Sequence, residues 1–330
     1  MEATQFKTSD LIAAIGAGDA AAVIELLQLR AQCNGETLRQ AVRKGFQLDS
    51  EHASLANLCM KHDQVQLLEH VLAAEDLGLT LDDVLTSQVW RNGSQGLSRR
   101  FQTSSLPLEA VSHGCADGVR LAMRLQPGHE DFTKGHDFLG STCSLHYMAL
   151  YRGISLGHTS HLACCELLLE AGHPVHEVAR PNSPVESCFF WFEWDDENRD
   201  RYLALTRKYH AAGALDLNKP LEGDTRSSCH GSVPLAAAIA TGNKAAAREL
   251  ILLGADVALA TPAEHPDLLS YARSWKLSDE EAMVAGLTDA LMHRQIAASI
   301  QRQELSPAGD VANIVTRDEI RSTRSRRAGL

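Results

Sequence analysis

Apolar residues recur along this chain at the three-to-four spacing of amphipathic helices, and the pattern is sharpest between Ser232 and Val257. Pro234 suits a first helical turn, because its missing N–H would be unpaired there anyway. Gly242 can adopt a positive φ angle and end that helix, and Asn243 is a suitable cap for a second one. The two apolar faces are formed by Leu235, Ala238, Ile239, Ala247, Leu250 and Ile251. The pattern therefore predicts two short helices packed back to back.

The same stretch resembles an ankyrin repeat. The matching positions are Pro234, Leu235, Ala238, Gly242, Leu250, Ile251, Gly254, Ala255, Asp256 and Val257. The resemblance implies an all-α, ankyrin-like repeat solenoid of about seven helix pairs, with loop fingers and inter-helix insertions. In such a solenoid the first helices of the pairs and the fingers line a concave face.

The resemblance varies along the chain. It is best over residues 145–257, fair over Leu11 to Leu27 and Leu106 to Leu125, and weak elsewhere. Insertions between helices are expected at Arg152 to Ser160 and near Trp191 to Asp200. These patterns predict a repeat domain over residues 1–305 and a basic, flexible C-terminal tail over residues 306–330.

Three weaker segments yield expectations of their own. Apolar spacing from Leu81 to Val89 suggests a helix, followed by a loop over residues 92–96. Gln126 to Ser141 reads as a long finger-like loop. A last, polar helix from Ser278 to about Gln303 would cap the array, because a terminal repeat must face water on one side.

Charge is distributed unevenly. The formal net charge is −11, and the last fourteen residues carry +3, so the remainder carries −11 − 3 = −14. An acidic body makes nucleic acid an unlikely ligand and favours a partner protein with a basic surface patch. The tail either touches RNA or an acidic partner, or is simply a solvated terminus.

Several classes of protein find no support in the sequence. The N-terminus lacks the apolar core of a signal peptide, and no apolar run reaches the ~20 residues of a membrane helix. Eight cysteines scattered through helical patterns are typical of reduced core residues. These features, with the Ala-rich helices, favour a cytoplasmic and bacterial protein.

A metal-dependent enzyme is the alternative from another class. His158, His161 and Cys165 lie at i, i+3 and i+7, on one helical face, and imidazole and thiolate are zinc ligands. The competing interpretation is a helix with core cysteines and surface histidines. No nucleotide-binding loop or catalytic signature is present, so no cofactor and no metal are expected.

The most unusual run extends from Phe189 to Glu197, where five aromatic residues precede or interleave with acids. Aromatic anchors rimmed by charge are typical of binding hot spots. The other interpretation is that the aromatics fill the space opened by the insertions. Trp191 and Trp194 are expected at the surface, and the candidate partner-binding residues are Trp191, Trp194, Asp195, Asp196 and Glu197.

The sequence as a whole predicts a non-catalytic module that binds a protein through a concave, acidic face. Two roles stay open: an immunity or inhibitor protein covering a toxic enzyme, and an effector or adaptor acting on a host protein. The alternative remains a metal-dependent enzyme built on His158, His161 and Cys165.

Overall fold

A computed structural model of the protein describes residues 5–48, 51–93, 96–138, 141–175, 189–190, 194, 196–221 and 231–305, and every structural statement below concerns these residues. Most of them are helical, and the helices come in antiparallel pairs joined by tight turns. The helices are α1 (Thr8–Ala17), α2 (Ala20–Asn34), α3 (Leu38–Arg43), α4 (Leu55–Lys61), α5 (Val65–Ala73), α6 (Leu81–Leu85), α7 (Leu106–His113), α8 (Ala116–Leu125), α9 (Leu145–Leu150), α10 (Ser160–Glu170), α11 (Arg199–Ala211), α12 (Pro234–Ala240), α13 (Lys244–Leu253), α14 (Val257–Ala260), α15 (Leu268–Ser274) and α16 (Glu280–Leu305).

The turn between α12 and α13 has the predicted chemistry. Gly242 adopts φ 77°, and the Asn243 side chain accepts a hydrogen bond from the backbone N–H of Ala246 at 3.0 Å. Gly254 then ends α13 with φ 106°. The prediction of two short helices back to back is confirmed.

The same turn recurs in the earlier pairs. Gly18 separates α1 from α2 at φ 69°, and Gly114 separates α7 from α8 at φ 67°. Between α4 and α5 the position is occupied by Asp63, which adopts φ 55° without being a glycine. A short acidic side chain tolerates this left-handed region better than most residues do, so the weakly matching second pair still makes the standard turn.

Three β-hairpins lie between the pairs, and the third falls at the end of the predicted finger-like loop from Gln126 to Ser141. They are β1 (Phe46–Leu48) with β2 (Glu51–Ala53), β3 (Thr86–Gly93) with β4 (Gly96–Thr103), and β5 (His136–Phe138) with β6 (Ser141–Cys143). Each hairpin is a two-stranded antiparallel sheet. The all-α assignment holds for the layers, and the fingers are strands.

The predicted helix through Val89 is wrong. Helix α6 ends at Leu85, and Val89 lies in strand β3, where it pairs with Arg100. The apolar spacing over Leu81 to Val89 fits a helix as well as it fits a short helix followed by a strand. The β-branched and aromatic residues beyond Thr86 favour the strand.

The helices form two layers. The first helices of successive pairs, α1, α4, α7 and α9, contact one another in chain order. The second helices, α2, α5, α8 and α10, form the other layer, which continues through α11, α13 and α16. One apolar core runs between the layers from Leu11 to Ala290. This is the arrangement of a repeat solenoid, in which each unit packs on its neighbours.

The first predicted insertion lengthens α9. A π-helical turn, Tyr151–Ser155, continues α9 directly, and residues 156–159 connect it to α10. Gly153 is needed there, because a Cβ atom at that position would lie 2.5 Å from Leu162 Cδ2. Insertion and close packing therefore coexist in this pair.

The last helix is less polar than expected. The first half of α16 buries Met283, Leu287 and Ala290. Its second half exposes Met292, Ile296 and Ile300, which follow one another at four-residue spacing. The capping helix therefore carries an apolar stripe on its solvent side.

Five of the eight cysteines are buried in the core: Cys59, Cys115, Cys143, Cys164 and Cys165. Cys33 is exposed, against the expectation, and Cys188 and Cys229 lie outside the described residues. Burial raises the pKa of Cys59, of Cys115 and of Cys164 to about 12. These thiols are inert hydrophobic side chains in the folded protein.

Candidate protein-binding surface

The first-helix layer presents a polar network in the second and third pairs. Asn57, on α4, lies between the buried residues Ala56 and Leu58 and is itself partly exposed. Its amide nitrogen donates to Glu109 Oε2 at 2.7 Å and lies 2.9 Å from His113 Nε2. Since Glu109 and His113 belong to α7, the network joins two neighbouring repeats.

His113 is held neutral by this surrounding. Burial is the main cause that lowers its pKa to about 4, and the positive charges of Arg152 and Lys61 add to it. The amide nitrogen of Asn57 can only donate, so Nε2 of His113 accepts and the ring proton is assigned to Nδ1. The neutral imidazole thus accepts one N–H of the Asn57 amide, and Glu109 accepts the other.

The next repeat adds aromatic residues to the same layer. The Tyr147 and Tyr151 rings, one helical turn apart, stack with centroids 6.0 Å apart and planes 23° apart. The Arg152 guanidinium donates to the backbone carbonyl of Ser112 on α7. Tyrosine and arginine, both partly exposed here, are residue types that dominate binding energy at interfaces.

The described helices of this layer are not acidic. They and the π-helical turn carry two acidic residues, Asp10 and Glu109, against two basic ones, Lys61 and Arg152, a formal net charge of −2 + 2 = 0. Many carboxylates lie in connections instead, among them Asp19, Glu75, Asp76, Asp196 and Glu197. The acidic concave face stays a prediction, since the described first helices are neutral and many carboxylates lie where the chain turns.

The aromatic and acidic segment is only partly described. Phe189 and Phe190 are helical and fully buried, and Phe189 packs edge-on against Tyr209 with ring centroids 5.4 Å apart. Asp196 and Glu197 are exposed, and Asp196 pairs with Arg199. Trp191 and Asp195 lie outside the described residues, so their role stays a prediction.

The surface placement of Trp194 is wrong. Trp194 is 4% exposed, its ring lies 5.7 Å from that of Tyr202, and its indole N–H donates to the Phe189 carbonyl at 2.9 Å. The indole N–H thus satisfies a backbone acceptor inside the segment, which composition could not reveal. One edge of the ring lines a groove of about 300 Å³ that also includes Leu203 and Lys244. Trp194 is first of all a packing residue.

The metal-binding alternative finds no matching geometry among the described residues. His161 Nδ1 lies 3.2 Å from the His158 carbonyl, and its Nε2 lies 3.4 Å from the Ser112 carbonyl. Cys165 is buried in the core, and no group of three His, Cys, Asp or Glu side chains in the described part of the chain is placed to hold a metal ion. His158 also precedes α10, so the predicted single helical face does not form.

His146 has a structural role in the fold. Its Nδ1 lies 2.6 Å from the Tyr209 hydroxyl and its Nε2 lies 3.1 Å from the His173 carbonyl. These contacts connect α9 to a helix two elements further along. The imidazole is buried, so it holds neighbouring repeats together.

Sequence reasoning missed Tyr147, Tyr151 and Arg152 as surface residues. Their signal is nevertheless present, because Tyr147 follows the Leu145-His146 pair that marks the start of a first helix, and Tyr151 lies four residues later. Positions four apart share one face of a helix. Large aromatic residues at two such positions, among buried neighbours, point outward from the layer.

The helix pairs, the left-handed turns and the hairpins together make this an ankyrin-repeat-like fold. No family model matches the sequence, and no curated protein matches it. Among solved structures, the human ASB11 ankyrin repeat domain is similar, with a TM-score of 0.46, 18% identity, 84% of this chain covered and 96% of that chain. The ankyrin repeat domain of Bcl-3, described as a unique member of the IkappaB protein family, has a TM-score of 0.43, 19% identity and coverage of 84% and 97%. An ankyrin repeat domain from Acinetobacter baumannii has a TM-score of 0.41, 18% identity and coverage of 71% and 96%.

None of the described helices is both long enough and apolar enough to span a membrane.

Proposed function

We propose that this protein is a non-catalytic binding module that holds another protein against its first-helix layer and hairpins. The observation that carries the proposal is the group formed by Tyr147, Tyr151 and Arg152 beside the network of Asn57, Glu109 and His113. Aromatic and arginine side chains flanked by satisfied polar groups resemble the centre and rim of a protein interface.

The second-helix layer serves a different purpose. Its charged side chains pair across neighbouring repeats, as in Arg207 with Glu249, Arg248 with Asp289, and Lys208 with Glu166. These pairs link consecutive helices in the stack. Side chains engaged with the next repeat stabilise the array, which leaves the first-helix layer as the better candidate for a partner.

The segment from Trp191 to Glu197 supplies the acidic part of the proposed contact. Asp196 and Glu197 are exposed, and Asp195 lies between them and Trp194 in the sequence. A basic patch on the partner would face these acids, and Trp191 would be the aromatic contact. The proposal assigns Trp194 the task of holding the segment through its bond to Phe189.

Two biological roles fit such a module: an immunity or inhibitor protein, and an effector or adaptor. A bacterial and cytoplasmic setting belongs to the same proposal, and its support is the Ala-rich composition and the buried, reduced thiols. The acidic body remains the reason for proposing a protein rather than nucleic acid.

The test is affinity capture with the full chain as bait, using lysate of the native cell. Wild type is compared with Tyr147→Ala/Tyr151→Ala and with Lys208→Ala, a matched change in the second-helix layer. We expect a captured protein to be retained by wild type and Lys208→Ala and reduced at least about tenfold by the double tyrosine variant, as at a hot spot. Equal capture by the tyrosine variant, with its fold intact by circular dichroism, would place the interface elsewhere.

A further inference from the structure

The hairpin formed by β3 and β4 differs from the other two in length and in charge. Its strands, Thr86–Gly93 and Gly96–Thr103, have eight residues each, against three in every other strand. The stretch from residue 84 to residue 108 contains no aspartate or glutamate, although the chain has 42 of them. It contains three arginines, Arg91, Arg99 and Arg100. The hairpin is therefore a basic arm on an acidic protein.

The base of the arm is firmly held. The Thr86 hydroxyl lies 2.8 Å from the Thr103 hydroxyl and donates to the Asp82 carbonyl at 2.6 Å. Gly45, in the preceding connection, allows the two hairpins to approach, because a Cβ atom there would lie 2.7 Å from Ser87 Cβ. A fixed base orients the rest of the hairpin relative to the first-helix layer.

One hydrogen bond at the base reveals which backbone groups face outward. The Gln88 N–H donates to the Lys44 carbonyl of the preceding connection at 3.2 Å, so it points away from β4. Gln88 lies opposite Phe101, and the two therefore form a non-hydrogen-bonded pair of the ladder. In an antiparallel ladder both members of a non-hydrogen-bonded pair direct their N–H and C=O groups outward. The backbone groups of Phe101 therefore point away from β3, on the opposite edge.

The direction of the backbone groups alternates regularly along β4. Residues two apart repeat the direction, so Leu97 and Arg99 also direct their backbone groups to this edge. The sheet has two strands, and no third strand of the described chain covers β4. Phe101 is 56% exposed on the same strand. An uncovered strand edge is a template for another strand.

We infer that the outer edge of β4 binds an extended, acidic segment of the partner protein as an added third strand. The inference rests on the proposed function and names the chemistry of one part of the partner. Backbone groups of Leu97, Arg99 and Phe101 would pair with the added strand, which is the strand-addition mode of peptide recognition. The carboxylates of that segment would complement the positive charge that the sequence of the arm carries at Arg91, Arg99 and Arg100.

A peptide suits the edge better than a nucleic acid does. The outward row of alternating N–H and C=O groups complements a peptide backbone, which offers the same groups in turn. The chain before its last fourteen residues carries −14, so a long polyanion would be repelled by everything except the arm. A short acidic strand avoids that repulsion because it contacts the arm alone.

The test uses fluorescence anisotropy of the full chain with two labelled nine-residue peptides, one alternating glutamate and valine and one alternating lysine and valine. We expect the acidic peptide to bind at least about tenfold more tightly, and the preference to shrink as salt screens the charges. Arg91→Gln/Arg99→Gln/Arg100→Gln should weaken the acidic peptide by about tenfold or more.

A second pair of variants tests the strand edge without changing charge. Leu97→Pro removes an outward N–H and leaves the ladder to β3 in place, while Leu97→Ala keeps the N–H. We expect Leu97→Pro to weaken the acidic peptide at least about fivefold and Leu97→Ala to leave it unchanged. Both changes lie far from the base, and unchanged melting temperatures verify the fold.

Three results would overturn the inference. The first is equal binding of both peptides, or no loss in Leu97→Pro. The second is tighter binding of a twelve-nucleotide single-stranded DNA that disappears in the arginine variant, which would make nucleic acid the ligand. The third is a wild-type dimer in sedimentation that Leu97→Pro dissociates, which would make a second copy the occupant. A partner that is captured through Tyr147 and Tyr151 but ignores every hairpin variant would sink this inference and leave the proposed function standing.

Discussion

His113, a partly buried titratable residue, makes the contact between two neighbouring repeats depend on pH. In the folded chain its Nε2 lies 2.9 Å from the Asn57 amide nitrogen, and its pKa is lowered to about 4, first by burial and then by Arg152. In the unfolded chain it titrates near its ordinary value of about 6.5. Between about pH 4 and pH 6.5, therefore, the unfolded state binds a proton at His113 and the folded state does not.

The resulting prediction is a loss of stability in mild acid. The contribution of His113 is fully present above about pH 6.5 and declines as the pH falls toward 4, by about 1–3 kcal/mol, because the unfolded state binds the proton. Urea midpoints at pH 7 and pH 5 measure this for wild type and for His113→Gln, whose amide can still accept from Asn57. We expect the variant to lose less stability than wild type; parallel losses would show that His113 titrates normally in the fold.

Gly242 provides a test of backbone conformation free of crowding. A Cβ atom there would meet nothing closer than Leu277 Cδ2 at 3.7 Å, so only the φ angle of 77° opposes a side chain. Gly242→Val should cost about 1–3 kcal/mol, because a β-branched residue resists this conformation. The matched control is Gly286→Ala, in the middle of α16 with open space around it, which should be neutral or stabilising. Equal melting temperatures for the two variants would contradict the turn.

At the scale of the element, Trp194 decides whether the aromatic segment is held in place. Trp194→Ala should lower the free energy of unfolding by about 3–5 kcal/mol, because loss of the buried indole leaves a cavity and removes one of the two donors to the Phe189 carbonyl. Trp194→Phe keeps most of the packing and removes the bond to Phe189, so its cost should be smaller. Chemical denaturation of both variants gives the two values. A stable Trp194→Ala protein with weakened partner binding would restore the surface interpretation.

The ion pair between α11 and α13 tests how neighbouring second helices are joined. Arg207 Nε and Nη2 donate to the two carboxylate oxygens of Glu249, at 2.6 and 2.8 Å, and Glu249 is 3% exposed. Arg207→Met should lower the free energy of unfolding by about 1–3 kcal/mol, since it leaves the buried carboxylate of Glu249 without its charged partner. Arg207→Met/Glu249→Met should recover most of that loss in the same denaturation measurement. A double variant as unstable as the single one would mean that the carboxylate is not the cause.

The elements that sequence could predict are those whose signal is local. Gly242, Asn243 and Gly254 fix a helix pair by their own backbone and capping preferences, and the structure has that pair. The β3–β4 hairpin is different, because its strands are stabilised by pairing with each other and by the contact to Lys44, neither of which leaves a helical or strictly alternating pattern. Trp194 was misplaced for the same reason: its hydrogen bond to the Phe189 carbonyl is a contact that composition does not encode.

At the scale of the whole molecule, the division into a repeat domain and a tail is the boundary left to test. Helix α16 ends at Leu305, and the exposed stripe of Met292, Ile296 and Ile300 lies on its second half. The tail beyond it carries a cluster of arginines and few apolar residues. On composition, therefore, the tail adds little to the core.

Deleting residues 306–330 should leave the melting temperature and the helical circular dichroism signal unchanged, since a mostly polar segment has little apolar surface to bury. The control is a chain of full length in which Arg324, Arg326 and Arg327 are changed to Ser, which separates the effect of charge from that of length. A lower melting temperature in the deleted chain alone would place the tail on the stripe of α16.

The buried thiols allow the opening of individual repeats to be measured by chemical labelling. Cys59 lies on α4, Cys115 between α7 and α8, and Cys164 on α10, so each belongs to a different helix pair. A thiol whose pKa is near 12 reacts with an alkylating reagent only after its surroundings have opened. Because repeats interact mainly with their neighbours, they can open one by one. Peptide-resolved labelling rates would then rank the helix pairs by their local opening free energies. A bound partner would slow the labelling of the thiols in the repeats that it covers.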